Sequence, residues 1–441
     1  MTDAPDPKAL KNLPPRHAAL SAVMAVHKSG TALDGGLASH PDWKRMEARD
    51  RGFARAIATA AVRRDGALRA ALDTLIERPL PEKALKARMV LLCGAAERLV
   101  LDGAAHAAVD GWVSLMANDA STRNYKNLAN AVLRRVASGE ARQAFEACDP
   151  LDDLPAWLHR RWVAGFGEDI ARAMAVARSG PPPLDLTCKP GVDTAALAEA
   201  LGAQVLPNGT VRRAEIGAVE SLPGFEAGDW WVQDAAAALP VRLLKPQAGE
   251  TIADLCAAPG GKTMQIAASG ATTLAVEASG KRLKRVEANL QRTGLTADLI
   301  NADAIEWRPE SPLDGVLLDA PCTATGTLRR RPDTAFAKQD GDVANLAKIQ
   351  DALLDAAAGM VKPGGRIVYC TCSLEREEGE DRIAALLARR TDLRLDPART
   401  EELPDLAEAI TPEGAVRTRP DQWAHRGGLD GFYIVRLVKA D

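Results

Sequence analysis

The stretch TIADLCAAPGGKTMQIAAS, residues 251–269, joins two kinds of local pattern. An apolar run, TIADLCAA, ends just before two adjacent glycines, and a helical pattern, KTMQIAAS, begins directly after them. Gly260 and Gly261 let the backbone pass close to a ligand, and the helix start offers free N–H groups. Four more short apolar runs follow: TTLAVEA, ADLINAD, DGVLLDAP and GRIVYCTC. Helical segments separate them, among them SGKRLKRVEANLQRT and NLAKIQDALLDAAAGMVK. This alternation predicts an α/β fold with a doubly wound, mostly parallel sheet over 244–441. DLRLDPA and GFYIVRLVKA would close it as a terminal antiparallel pair.

Upstream the rhythm changes. CDPLDDLP (148–155) is a break, a helical piece follows, and the Pro-rich SGPPPLDLTCKPG (179–191) turns into a strand. A small α+β linker subdomain is expected over 148–243. Residues 16–147 repeat apolar positions at three and four in LSAVMAV, FARAIATAAV, ARMVLLCGAAERLVL and NLANAVLRRVA. They predict an all-helical domain of six or seven helices. Residues 1–15, rich in Pro, Asp and Lys, read as a flexible arm.

The chain has 441 residues, enough for two or three domains. It has no run of eighteen apolar residues and no apolar signal core at the N-terminus, so the default is a cytoplasmic protein without a membrane partner. Net charge is −3, but residues 1–150 hold 22 Lys and Arg against 17 Asp and Glu, and the rest hold 34 against 42. A basic excess on a helical surface suits phosphates, although charge alone is a weak pointer. The seven cysteines are odd in number and scattered, which argues against a disulfide framework. Cys370 and Cys372 form C-x-C with no neighbouring His or second pair, which argues against zinc.

Ligands of open α/β sheets bind beyond the C-terminal ends of the strands. The first strand leads into Cys256-Ala-Ala-Pro-Gly-Gly-Lys262. Gly261-Lys262-Thr263 imitates the end of a phosphate loop, but position 257 is Ala where that loop needs its first Gly, so an NTPase is rejected. The next strands end at Glu277, Asp303, Asp319 with Cys322, and Cys372. A lone carboxylate at such a place is commonly a helix cap or a solvated turn. Three at successive strand ends, beside a Gly-rich loop, describe a nucleoside lying across the sheet. Glu277 suits ribose hydroxyls and Asp303 an adenine edge. No cluster of Lys, Arg and Ser surrounds the loop, so S-adenosylmethionine fits better than a phosphorylated cofactor.

Buried cysteine is usually packing, which suits Cys93, Cys148, Cys188, Cys256 and Cys370. Cys322 and Cys372 stand where strands stop, and both would face the donor methyl. A thiolate added to carbon 6 of a pyrimidine makes carbon 5 enamine-like and able to attack a methyl group. Asp319, if protonated, could support this by a hydrogen bond to ring N3.

DLCAAPGGKT (254–263), LLDAPCTATGTLRRRPD (317–333) and VYCTCSLEREEGE (368–380) together resemble the RNA cytosine-5 methyltransferases of the Sun/Fmu group, most nearly the bacterial 16S ribosomal RNA methyltransferase B type. The likeness is firm over about 230–441. Upstream it is looser and runs through a NusB-like helical RNA-binding domain, with NLANAVLRRV (127–136) resembling its last helix. The resemblance implies methylation of carbon 5 of a cytosine in RNA, most readily 16S ribosomal RNA. It implies Cys372 as nucleophile, Cys322 as the thiol that helps release product, and Cys256, Ala257, Ala258, Pro259, Gly260, Gly261, Lys262, Glu277, Asp303 and Asp319 as the cofactor site, with no metal. It also places Arg329–Arg331 near target phosphates. The chain departs from the pattern at DLTCK (185–189), where relatives carry a basic, polar segment, and at DGFY (430–433). Three other readings remain. A tRNA methyltransferase shares all these motifs. A non-catalytic ribosome-assembly factor would not need both cysteines. A small-molecule methyltransferase would leave the helical domain without a job.

Overall fold

The computed structural model describes residues 13–215 and 217–440. The expected arm therefore falls, for residues 1–12, outside the described residues, and Leu13 already opens the first helix, Leu13–Ser29. The chain forms two compact units. One comprises the residues up to Ser179 together with Arg331–Asp340; the other comprises Gly180–Arg330 and Gly341 onward.

The first unit is helical. Its central helix, Leu85–Leu99, is buried on almost every side, as expected for a sequence as uniformly apolar as LKARMVLLCGAAERL. Leu13–Ser29, Ala48–Arg63, Ala105–Ala117 and Lys126–Ser138 pack around it through Ala, Leu and Val. Gly94 permits the close approach: a Cβ there would lie 2.8 Å from Leu133 Cδ2. The buried Glu97 accepts at Oε2 from Arg16 Nε at 2.9 Å and Trp112 Nε1 at 2.8 Å, and at Oε1 from Arg16 Nη2 at 2.5 Å, so no oxygen is left bare in the core. Two boundaries differ from the expected ones. Helices Ala156–Phe166 and Glu168–Ser179 belong with this unit rather than with the linker. So does the short helix Thr334–Ala337, where Asp333 Oδ2 accepts from Leu33 N–H at 3.0 Å.

The second unit contains two sheets. The linker sheet is antiparallel, with β1 (Leu184–Cys188), β2 (Gln204–Val205), β3 (Val211–Arg213) and β4 (Trp230–Val232) in the order β2-β3-β1-β4. Asp185, the departure in DLTCK, has a structural use: it takes Arg212 through two hydrogen bonds of 2.6 Å inside this sheet.

The main sheet has β5 (Thr251–Leu255), β6 (Thr272–Val276), β7 (Asp298–Ile300), β8 (Leu313–Asp319), β9 (Val361–Thr371), β10 (Leu393–Leu395), β11 (Val416–Thr418) and β12 (Phe432–Lys439). The order is β10-β12-β9-β8-β5-β6-β7, with β11 also on β12. Strands β5 to β9 run parallel, and β12 enters antiparallel beside β9. The expected pair of β10 and β12 forms, Leu393 opposite Lys439. Order reverses between β5 and β8, the switch point at which open sheets bind ligands. No described helix is long and apolar enough to cross a membrane.

Candidate active site

The turn after β5 is tightly specified. Cys256 has φ 63°, the Ala258–Pro259 peptide is cis, and Gly260 has φ +103°. Gly260 is the position where a side chain would be strained and would press on Val286 at 3.2 Å. The helix Gly261–Ala268 starts at once, and its Thr263 hydroxyl donates to Asp254 Oδ2 at 2.5 Å. Burial pushes the Asp254 carboxyl up to about 7 against the pull of Thr263 and Lys262.

A cleft of about 520 Å³ opens over the C-terminal ends of the strands, a volume suited to a nucleoside-sized ligand. Cys256, Ala258, Glu277, Asp303, Asp319, Cys322 and Cys372 all line it, so the carboxylates and both strand-end thiols named from sequence converge on one space. Ala257, Pro259, Gly260, Gly261 and Lys262 do not line it; they shape the turn and the helix start behind it. Glu277 Oε1 accepts from Ser279 N–H at 2.9 Å, and Asp303 Oδ1 accepts from Ile305 N–H at 2.9 Å. Each carboxylate is thereby fixed in direction by the turn that follows its strand. Arg282, Ile305, Ile349 and Leu353 also line the cleft. Ile349 is a large hydrophobe left 43% exposed on the helix Asp340–Met360. Helical spacing alone could not separate it from core positions.

At the other end of the cleft β8 and β9 bring two cysteines together. Cys322 Sγ lies 3.5 Å from Cys372 Sγ. The hydrogen bond to Cys372 and then burial push the Cys322 thiol well up, which favours its protonated form. Burial pushes Cys256 up to about 12, which leaves it an inert thiol. Cys370 is fully buried, as expected, but is more than filler: its sulphur donates to Asp319 Oδ1 at 3.6 Å. Lys262 Nζ holds the other oxygen, Oδ2, at 2.7 Å. Burial opposes the Lys262 charge, yet Asp319 and Cys370 outweigh it and raise its pKa. Asp319, expected from sequence to bond the base as a protonated acid, thus has both oxygens engaged, Oδ1 by the Cys370 thiol and Oδ2 by the Lys262 ammonium.

Arg329 also differs from expectation. It is buried and donates to Asp234 Oδ2 at 2.8 Å and to the Gly427 carbonyl at 2.6 Å, so it braces the scaffold rather than awaits phosphate. Arg330 Nε donates to Asp430 Oδ2 at 2.7 Å, but its side chain stays exposed. What the sequence did not single out is a buried polar cluster around Glu378, Gln350, Thr323 and Ser373, set directly behind the two cysteine loops.

This sheet order and strand-end cleft define an S-adenosylmethionine-dependent methyltransferase, and comparison with known proteins agrees. Residues 241–438 match the model of the family described as 16S rRNA methyltransferase RsmB/F, and residues 13–138 match the NusB family. A ribosomal RNA small subunit methyltransferase B of Pseudomonas syringae pv. tomato is 35% identical, over 96% of this chain and 97% of its own. The crystal structure of PH0851 shares the fold with a TM-score of 0.71 at 22% identity, covering 97% of this chain and 99% of that one. NSun6 from Pyrococcus horikoshii, solved with SFG, has a TM-score of 0.56 at 19% identity over 65% of this chain and 98% of its own. The chain belongs to the RsmB/F family of RNA methyltransferases. Its cofactor is S-adenosylmethionine, and the cleft, lined by Glu277 and Asp303, fits a nucleoside of that kind.

Proposed function

We propose that this enzyme methylates carbon 5 of a cytosine in small-subunit ribosomal RNA through a covalent bond between Cys372 and carbon 6 of the base. The observation that carries this reading is the pair of sulphurs 3.5 Å apart in the wall of the cleft. Carbon 5 of cytosine is a poor nucleophile. Addition of the Cys372 thiolate to carbon 6 makes it enamine-like. S-Adenosylmethionine supplies the methyl group. The carbon-5 proton is then lost to solvent, its electron pair rebuilds the 5,6 double bond, and the C6–S bond breaks with its pair returning to Cys372. The Cys322 thiol, which keeps its proton, donates a hydrogen bond to the departing thiolate and so assists release.

The choice of base is supported by Asp319, whose carboxylate lines the cleft. Cytosine offers it a donor at the 4-amino group, whereas uracil presents an acceptor at that position. Ribosomal RNA of the small subunit is favoured by the name of the relative that matches nearly end to end. The target base must leave its stack, or lie in a loop, to reach a thiol at the cleft wall.

Bisulfite sequencing of RNA from cells lacking the gene tests the reading. One methylcytosine in 16S ribosomal RNA is expected to disappear, and to return with the wild-type gene but not with Cys372→Ala. An unchanged methylcytosine pattern in every RNA would overturn it.

A further inference from the structure

Glu378 lies in the turn Arg376–Glu378 that follows the Cys372 loop, and it has no exposed surface. No cation pairs with its carboxylate among the described residues. Its oxygens accept only from neutral groups. Thr323 N–H meets Oε1 at 3.0 Å and Oε2 at 3.2 Å, the Thr323 hydroxyl donates to Oε2, and Gln350 Nε2 donates to Oε1 at 3.0 Å. Thr323 is the residue directly after Cys322. Gln350 also donates to the carbonyl of Pro321, the residue directly before it, at 2.9 Å. The Cys322 peptide segment is thus gripped on both sides.

The same cluster reaches the other cysteine. Ser373, directly after Cys372, has its hydroxyl 3.2 Å from the Thr323 hydroxyl and 3.4 Å from that of Thr325. Gly326 N–H donates to the Cys372 carbonyl at 3.0 Å. The main chain of Glu378 is itself pinned to β9 by the Tyr369 hydroxyl at 2.8 Å. A buried carboxylate without a cation is costly. A simple loop anchor needs no charge, since a glutamine or a backbone carbonyl accepts the same donors.

We propose that Glu378 is a positioning residue for product release: its buried carboxylate, with Gln350, clamps the chain on either side of Cys322 and holds that thiol against the Cys372 sulphur. The inference rests on the covalent reading above and adds to it. The negative charge of Glu378 also joins the Cys372 hydrogen bond and burial in keeping Cys322 protonated, which is the form that can donate to the departing thiolate. Losing the clamp lets Cys322 drift from a 3.5 Å contact, so the adduct forms but is released slowly.

The test compares wild type, Cys322→Ala, Glu378→Ala, Glu378→Gln and Gln350→Ala on small-subunit ribosomal RNA with S-adenosylmethionine. Covalent enzyme–RNA complex is measured on a denaturing gel, alongside kcat and KM. Glu378→Ala is expected to accumulate the complex as Cys322→Ala does, with kcat lowered about tenfold or more, the size of one lost hydrogen bond to a charged group, and KM for RNA changed less than about twofold. Glu378→Gln should recover part of kcat. A merely structural role predicts weaker RNA binding and no accumulated complex. If Glu378→Ala does not fold, Gln350→Ala decides: accumulation supports the clamp and its absence overturns it. If Cys322→Ala traps complex while no Glu378 or Gln350 variant does, the clamp alone is wrong. If Cys322→Ala traps none, the covalent reading falls and the clamp falls with it.

Discussion

Cys370 lies on β9 and Cys372 just past the strand's end, and their surroundings differ. Cys370 sits one repeat deeper, against Asp319, while Cys372 reaches the cleft and meets Cys322 from the neighbouring strand end. The chemically relevant pair is thus fifty residues apart in sequence, which C-x-C spacing could not reveal. Asp254 offers a test of how the site is charged. A carboxyl whose folded pKa is raised from 3.8 to about 7 contributes stability that is present below 3.8 and lost as pH rises through 7. Wild type should therefore lose stability relative to Asp254→Asn between pH 4 and 8, by at most ~4 kcal/mol. Urea unfolding of both proteins at several pH values measures this. Equal pH dependence would mean that Asp254 stays ionised in the fold.

At the level of elements, the parallel strands were legible because each is a short apolar run that stops at a polar residue. That regularity placed Glu277, Asp303, Asp319, Cys322 and Cys372 at strand ends, and the cleft gathers all five. The cluster behind them was not legible. Gln350 lies on a helix whose spacing reads as core, and Glu378 sits in an acidic run, LEREEGE, that reads as solvated surface. Strand β11 escaped notice because three residues, VRT, carry no alternation signal. Arg329 looked like a phosphate ligand because its partner, Asp234, lies about a hundred residues upstream. Gly326 marks where three elements meet: a Cβ there would lie 2.0 Å from the Gly431 carbonyl oxygen. Gly326→Ala must push the Cys322 loop away from the start of β12. It is expected to cost about 1–3 kcal/mol of stability and to remove most methylation while cofactor binding survives, as read by melting and by calorimetry with S-adenosylhomocysteine. Full activity in that variant would show that the loop tolerates the shift.

Over the whole molecule, sequence rhythm divides the chain into helical and α/β parts, but the chain does not respect one cut. Residues 331–340 leave the methyltransferase unit and are built into the helical one, Asp333 capping Leu33 across three hundred residues. Short-range periodicity carries no record of such an excursion. The helical unit, the cofactor cleft and the paired cysteines together make sense as one enzyme if RNA is the substrate and Cys372 its covalent anchor. The most direct test incubates the purified full-length protein with small-subunit ribosomal RNA and S-adenosylmethionine, then resolves it under denaturing conditions. The account predicts a covalent protein–RNA band with Cys322→Ala and none with Cys372→Ala. A band with Cys372→Ala, lost instead with Cys322→Ala, would contradict it and reassign the nucleophile.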